Sequence, residues 1–213
     1  MTMKKKWQSL LICLFAFCGF AANAEDQVFR PFNGKNLSGW KVIDYGGQGS
    51  TEVKGNEMIL HQSELMSGVV YTNDLPYTMD YEITLDARRI SGDDFFCGLT
   101  FPISTNCVSL ILGGWGGVLT GISSIDYLDA SENETTDMTK FIQKQWYKVK
   151  VHVRKNRLNV WLDDKEIVNV ELENRKLNVR PGDIEECQPF GLATWQTTGS
   201  FRNIALRKLA GKE

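Results

Sequence analysis

Hydrophobic and polar residues alternate with a period of two through most of the chain, which is the pattern of half-buried β-strands. The clearest case is segment 146–154, where every second residue from Tyr147 to Val153 is large and apolar and the residues between them are polar or charged. Asn- and Asp-containing turns separate this segment from two similar ones, 157–162 and 167–172. Together the three segments predict a β-meander.

Strand-like segments also occur on both sides of this meander, and clusters of Gly, Asn, Asp and Pro separate them. No long segment shows a sustained helical period. About ten short strands at a spacing of about 8 to 12 residues predict an all-β fold, an antiparallel β-sandwich. The additional predicted strands are 57–61, 69–72, 80–90, 95–101, 108–112, 190–195 and 201–209.

The N-terminal residues have the order of a secretory signal peptide. Three lysines at positions 4–6 precede an apolar run from Leu10 to Phe20, and the small-x-small sequence 22–24 follows. We predict cleavage near Ala24, which leaves residues 25–213 as a single domain in the periplasm or outside the cell. The apolar run has about eleven residues and an α-helix needs about 20 to cross a bilayer, so we expect no stable membrane anchor.

Charge and cysteine content exclude several classes of function. Removing residues 1–24 takes away three lysines and no acid, so the formal net charge changes from −2 to −5, and no basic cluster remains for nucleic acid. The chain has only two histidines and no C-x2-C spacing, which disfavours a zinc site. Cys97 and Cys107 flank a predicted turn, so we expect a disulfide between them if the hairpin tip lies near Pro102, with Cys187 left free.

An irregular acidic stretch is predicted between residues 113 and 137, and segments of that length are often functional. Asp126, Glu132 and Glu134 are among its carboxylates. Three interpretations remain open for them: a solvated loop, a Ca²⁺ site, or acid/base chemistry on a sugar bond. The spacing is not that of an EF-hand, and no cofactor is required.

Two tryptophans are candidate platforms for a sugar ring, because a flat apolar indole face matches the C–H face of a pyranose. Trp115 lies between two Gly-Gly pairs and Trp195 ends a predicted strand, whereas Trp146 and Trp161 are expected in the core. Asp86 and Arg88 share one polar face of segment 80–90. That face is either exposed to solvent or lines a site.

Segment 32–40, Phe-Asn-Gly-Lys-Asn-Leu-Ser-Gly-Trp, resembles the opening motif of the DUF1080 family, described as 3-keto-disaccharide hydrolases or 3-keto-glucoside lyases and hydratases. The meander 146–170 resembles hairpins of concanavalin- and laminin-G-like domains. Segments 190–195 and 201–207 resemble the closing strands of the family. The resemblance extends from about residue 28 to 209 and implies a concanavalin A-like jelly roll that acts on carbohydrate.

The resemblance implies an exported enzyme that cleaves the glycosidic bond of a 3-keto sugar, whose ketone acidifies the C2 proton. The predicted site combines acid and base candidates, an arginine that stabilises an oxyanion and stacking tryptophans: Asp86, Asp126, Glu132, Glu134, Arg88, Trp115 and Trp195. The main alternative is a non-catalytic carbohydrate-binding module, which needs the aromatic platform but no acid/base pair. A structural domain of a surface assembly would need neither.

Overall fold

The computed structural model describes residues 28–210, which form two antiparallel seven-stranded sheets packed face to face. The predicted signal peptide, 1–24, lies outside these residues. Sheet A contains, in spatial order, β12 (Lys165–Glu171), β11 (Arg157–Leu162), β10 (Tyr147–Val153), β5 (Tyr81–Gly92), β14 (Thr197–Lys208), β3 (Glu57–Leu60) and β2 (Thr51–Lys54).

Sheet B faces sheet A. It contains β1 (Trp40–Val42), β4 (Met66–Tyr71), β13 (Gly191–Trp195), β6 (Cys97–Ile103), β7 (Asn106–Gly113), β8 (Leu119–Ser123) and β9 (Asp137–Met138). A tight turn, Gly114–Gly117, joins β7 to β8, and a short 3₁₀ helix, Asp183–Cys187, precedes β13. The all-β, concanavalin A-like sandwich predicted from the sequence is therefore confirmed.

The core lies between the two sheets because alternate residues of each strand point inward. Sheet A contributes alternate side chains from Tyr81 to Ala87, and sheet B contributes those from Cys97 to Ile103. A second, smaller apolar cluster covers the outer face of sheet B, where Ile111 and Ala193 pack against Ile184 of the 3₁₀ helix. This second layer gives sheet B an outer surface on which a pocket can form.

The outer face of sheet A is charged instead of apolar. Glu82 accepts hydrogen bonds from Arg207 (2.6 Å) and contacts His152 (2.7 Å). Trp146 lies between two guanidinium groups, with Arg88 4.4 Å and Arg202 4.0 Å from its ring centre. Trp146 and Trp161 are thus partly exposed on this face, and their predicted place in the core is wrong.

All ten predicted strands are present, with ends that differ by a few residues, and β10, β11 and β12 form the predicted meander. Four strands were not predicted: β1, β2, β8 and β9. The stretch 113–137 is therefore less irregular than expected, because β8 pairs with β7 inside it. Within residues 28–210, no helix is long and apolar enough to cross a membrane.

The predicted disulfide between Cys97 and Cys107 is wrong. The β6–β7 hairpin turns at residues 104–105, so Cys97 is opposite Leu112 and Cys107 is opposite Pro102. Cys97 and Pro102 are five residues apart, about 16 Å along a strand, which is far beyond the reach of a disulfide. Cys97, Cys107 and Cys187 are all free thiols.

Candidate functional site

A pocket of about 370 Å³ opens on the outer face of sheet B. Side chains from several strands of sheet B line it: Met66 of β4, Trp195 of β13 and Ile111 of β7. Ser123, the last residue of β8, also lines it. Because all these strands belong to one sheet, the sheet supplies a largely apolar lining for the pocket.

Three connecting segments also line it. Asp94 and Phe95 come from the link between β5 and β6, and Trp115 comes from the turn after β7. Arg180 and Asp183 come from the segment at the start of the 3₁₀ helix. The pocket therefore combines two indole rings with two carboxylates and one guanidinium group, a set that can stack on a sugar and bond to its hydroxyls.

The turn that carries Trp115 has an unusual backbone. Trp115 has a φ of 50° and a ψ of 54°, the left-handed region that bulky residues rarely adopt, and its side chain is 43% exposed. Gly113 precedes it at a φ of 76°, where an added Cβ would lie 2.3 Å from Nη2 of Arg89. A glycine is required there, and the turn presents a large aromatic ring to solvent.

The buried side chain of Arg89 holds this turn in place. Its side chain is only 6% exposed, and Nη2 donates hydrogen bonds to the main-chain carbonyls of Asp94 (3.1 Å), Gly113 (3.2 Å) and Gly117 (2.9 Å). Burial lowers the pKa of Arg89, and the negative charges of Asp94 and Asp93 oppose that effect. One guanidinium group thus links both segments of the wall that contains Trp115.

The Asp94 carboxylate is oriented by two main-chain N–H groups. The N–H of Phe95 donates to Oδ1 (2.7 Å) and that of Gly116 donates to Oδ2 (3.2 Å). The main-chain N–H of Asp94 itself donates to Oγ1 of Thr197 (3.0 Å). The position of this carboxylate is therefore fixed relative to the neighbouring Trp115.

Arg180 is also held by a carboxylate. Its Nη1 lies 2.7 Å from Oδ2 of Asp129, whose Oδ1 accepts a hydrogen bond from Oγ of Ser123 (2.5 Å). The guanidinium group lies 5.9 Å from the ring centre of Trp115. Asp129 belongs to the acidic segment but was not among the carboxylates selected from the sequence.

Trp115 and Trp195 both line the pocket, as their predicted joint role requires. Asp86 and Arg88 do not, because their side chains lie on the outer face of sheet A. Asp86 accepts hydrogen bonds from Arg202 (3.0 Å) and Asn203 (2.8 Å), and Arg88 pairs with Glu57 (2.5 Å). The expected convergence of these two residues with Trp115 is wrong.

The predicted carboxylates of the acidic segment also lie outside the pocket. Arg175 pairs with Asp126 (2.6 Å) and Glu134, while Glu132 is exposed. The pKa of Asp126 is lowered by a hydrogen bond from the main-chain N–H of Lys176 and then by one from Arg175, and Arg175 lowers the pKa of Glu134. Among residues 28–210, no three His, Cys, Asp or Glu side chains gather as metal ligands, so the Ca²⁺ interpretation gains no support.

Sequence reasoning missed Asp94, Arg180 and Asp183. Asp94 is far along the chain from Arg180 and Asp183, and only the folding of two connecting segments over sheet B brings the three together. The one local signal was their position: Asp94 follows a long strand, and Arg180 begins the turn-like sequence Arg-Pro-Gly-Asp. That signal identifies loops but not a shared pocket.

Comparison with known proteins agrees with this architecture. Residues 30–207 match the family model described as the 3-keto-alpha-glucoside-1,2-lyase-like domain. The chain belongs to this family. It is a carbohydrate-active family, and the match covers most of the sequence. No curated protein matches the chain.

Solved structures share the fold at low sequence identity. The carbohydrate-binding module CBM66 from Bacillus subtilis aligns with a TM-score of 0.54 and 14% identity, over 81% of this chain and 98% of that one. A candidate glycosyl hydrolase from Parabacteroides distasonis gives 0.55 and 13%, over 86% and 94%. The Crh5 transglycosylase in complex with NAG gives 0.56 and 10%, over 86% and 84%. At these identities the likeness concerns the fold alone.

Proposed function

We propose that the protein acts outside the cytoplasm as a lyase that cleaves the glycosidic bond of a 3-keto-glycoside bound in the sheet B pocket. The observation that supports this most is the meeting of Trp115 and Trp195 with Asp94, Asp183 and Arg180 in one pocket. The family to which the chain belongs supports the 3-keto-α-glucoside as substrate class. The signal-like sequence of residues 1–24 supports export.

The proposed chemistry is an elimination. A base removes the C2 proton, which the neighbouring C3 ketone acidifies, and negative charge develops on the ketone oxygen. The electron pair then forms the C1–C2 double bond as the C1–O bond breaks, and the departing oxygen takes a proton from an acid. The products are an unsaturated 3-keto sugar and the free alcohol.

The pocket offers a group for each role. Asp94 is the proposed base, because two main-chain N–H groups hold its carboxylate beside the Trp115 ring. Arg180 faces the same space and stabilises the developing enolate oxygen. Asp183, which is exposed and lines the same pocket, is the proposed acid for the departing oxygen. Trp115 and Trp195 orient the ring by stacking.

The test follows product release from methyl 3-keto-α-glucoside by NMR, with methyl α-glucoside as the unoxidised control. We expect cleavage of the keto compound alone. Asp94→Asn should lower kcat by about 10² to 10⁴, as removal of a general base does, whereas Asp86→Asn on the opposite sheet should leave it unchanged. Equal loss in both variants, or cleavage of the unoxidised glycoside, contradicts the proposal.

A non-catalytic sugar-binding role is the second candidate. It is favoured by the aromatic character of the pocket and by the position of Asp86, Asp126, Glu132 and Glu134 outside it. CBM66, which shares the fold, is itself described as a carbohydrate-binding module. This role predicts retention on an immobilised sugar that Trp115→Ala or Trp195→Ala abolishes, with no product from any 3-keto-glycoside.

A further inference from the structure

Tyr127 is a large aromatic side chain that the fold leaves 70% exposed. It lies at the tip of a tight hairpin, where Ile125 and Leu128 exchange two main-chain hydrogen bonds of 3.0 and 2.9 Å. The two residues of the tip, Asp126 and Tyr127, have φ values of 52° and 67°. Glycine and asparagine are the residues that suit such positions, and a bulky aromatic ring there is strained. Burial does not offset that strain, so the outlier points to a function.

The tip is held rigidly by residues 175 and 176. The Asp126 carboxylate accepts hydrogen bonds from the main-chain N–H of Lys176 (2.7 Å) and from Nε of Arg175 (2.6 Å). The Asp126 N–H donates to the carbonyl of Lys176 (2.7 Å). The Lys176 ammonium group lies 5.2 Å from the Tyr127 ring centre. An exposed ring on a fixed support loses little entropy when it binds a ligand.

The chain that holds the Tyr127 turn at residues 175 and 176 continues to the pocket at Arg180. Segment 176–180 runs antiparallel to the chain that leaves Ser123, and the Ser124 N–H donates to the carbonyl of Asn178 (2.9 Å). Arg180, at the far end, faces Trp115, so Lys176 and Arg180 each accompany one exposed aromatic ring. Lys176 and Arg180 lie four residues apart, so the chain between them spans at most about 13 Å, and both aromatic rings lie within reach of one oligosaccharide.

We propose that Tyr127 is a second sugar-stacking platform, and that the substrate is an oligosaccharide whose 3-keto end lies in the pocket while its chain extends along segment 176–180. This inference rests on the proposed function. It assigns to Asp126 and Arg175 the task of holding the platform, which explains why these groups are paired with each other instead of facing the pocket. The Lys176 ammonium group supplies a hydrogen-bond donor for sugar hydroxyls beside the ring.

The test compares KM for methyl 3-keto-α-glucoside with KM for maltotetraose oxidised to the 3-ketone in its non-reducing glucose. We expect the wild-type protein to show about a tenfold lower KM for the longer compound. Tyr127→Gly should remove that difference, because it deletes the ring while giving the turn a residue that suits its backbone. Tyr127→Phe should retain the difference, and Met138→Ala, which removes another exposed apolar side chain, should also retain it.

The outcomes are distinguishable. An unchanged or raised melting temperature of Tyr127→Gly shows that the fold is intact, because glycine relieves the strained φ. If the wild-type protein cleaves both compounds with equal KM, or if Tyr127→Gly changes both values alike, the second platform is refuted while the proposed function stands. If the short compound is neither bound nor cleaved, the proposed function fails, and this inference fails with it.

Discussion

Arg89 provides the sharpest structural prediction, because a single buried cation holds the wall of the pocket. Arg89→Met keeps the aliphatic part of the side chain against Phe96 and Phe141 but removes the guanidinium group, which lies 5.3 and 5.9 Å from their ring centres. Three carbonyl groups then lose their donor. We expect both lower stability and a loosened Trp115.

The size of the effect follows from the two hydrogens of Nη2, which the three carbonyl groups share. A hydrogen bond to a charged group contributes about 1.5–3 kcal/mol, but the variant no longer carries the cost of burying a cation, so we expect a net loss of about 3 kcal/mol in the free energy of unfolding. For a chain of this size, each kcal/mol corresponds to about 2–4 °C, which predicts a fall in Tm of about 6–12 °C.

The assay is urea and thermal unfolding followed by circular dichroism, with Arg88→Met as the matched control. Arg88 is the adjacent residue but lies on the outer face of sheet A, where it pairs with Glu57 and contacts the Trp146 ring, so Arg88→Met should lower stability without loosening the Trp115 turn. Arg89→Met should also raise KM for the 3-keto-glycoside, which Arg88→Met should not. If the two variants raise KM equally, Arg89 does not have the role assigned to it.

Three further predictions concern other parts of the molecule. Thiol titration in denaturant should find Cys97, Cys107 and Cys187 all free, whereas native protein should leave Cys97 unreacted because burial raises its pKa; a disulfide-linked peptide would contradict this. Burial alone would raise the pKa of Glu82, but hydrogen bonds from Arg207 and His152 lower this pKa overall. The ionised Glu82 carboxylate therefore stabilises the folded protein above the ordinary carboxyl pKa, and this stabilisation is lost as the pH falls through the lowered pKa. Glu82→Gln should therefore weaken the fall of the unfolding free energy with pH on the acid side, and an unchanged pH dependence would refute that. EDTA should leave the melting temperature unchanged, and a fall would restore the Ca²⁺ interpretation.

The fold was largely predictable from the sequence because a two-residue period survives wherever one face of a strand is buried. β10 shows this most clearly, with alternate residues from Tyr147 to Val153 in the core. β8 was missed because all five of its residues are buried, so that no alternation marks it. β9 has only two residues, too few to show a period.

The site was less predictable, because it depends on which face of which sheet each side chain reaches. Asp86 and Trp195 both lie in predicted strands, yet one points outward from sheet A and the other outward from sheet B. The strand pattern separates core from surface but does not distinguish the two outer surfaces of a sandwich. The disulfide prediction was wrong for a related reason. The hairpin tip lies at residues 104–105 instead of near Pro102, and this difference changes which residue lies opposite Cys107.

The most direct test of the account is a crystal structure of the Asp94→Asn variant with methyl 3-keto-α-glucoside, because this variant should bind the sugar without cleaving it. We predict density for the sugar between Trp115 and Trp195, with the C2 position facing residue 94 and the ketone oxygen facing Arg180. Sugar bound on the charged face of sheet A beside Asp86 and Arg88, or an empty sheet B pocket at saturating ligand, would contradict the account.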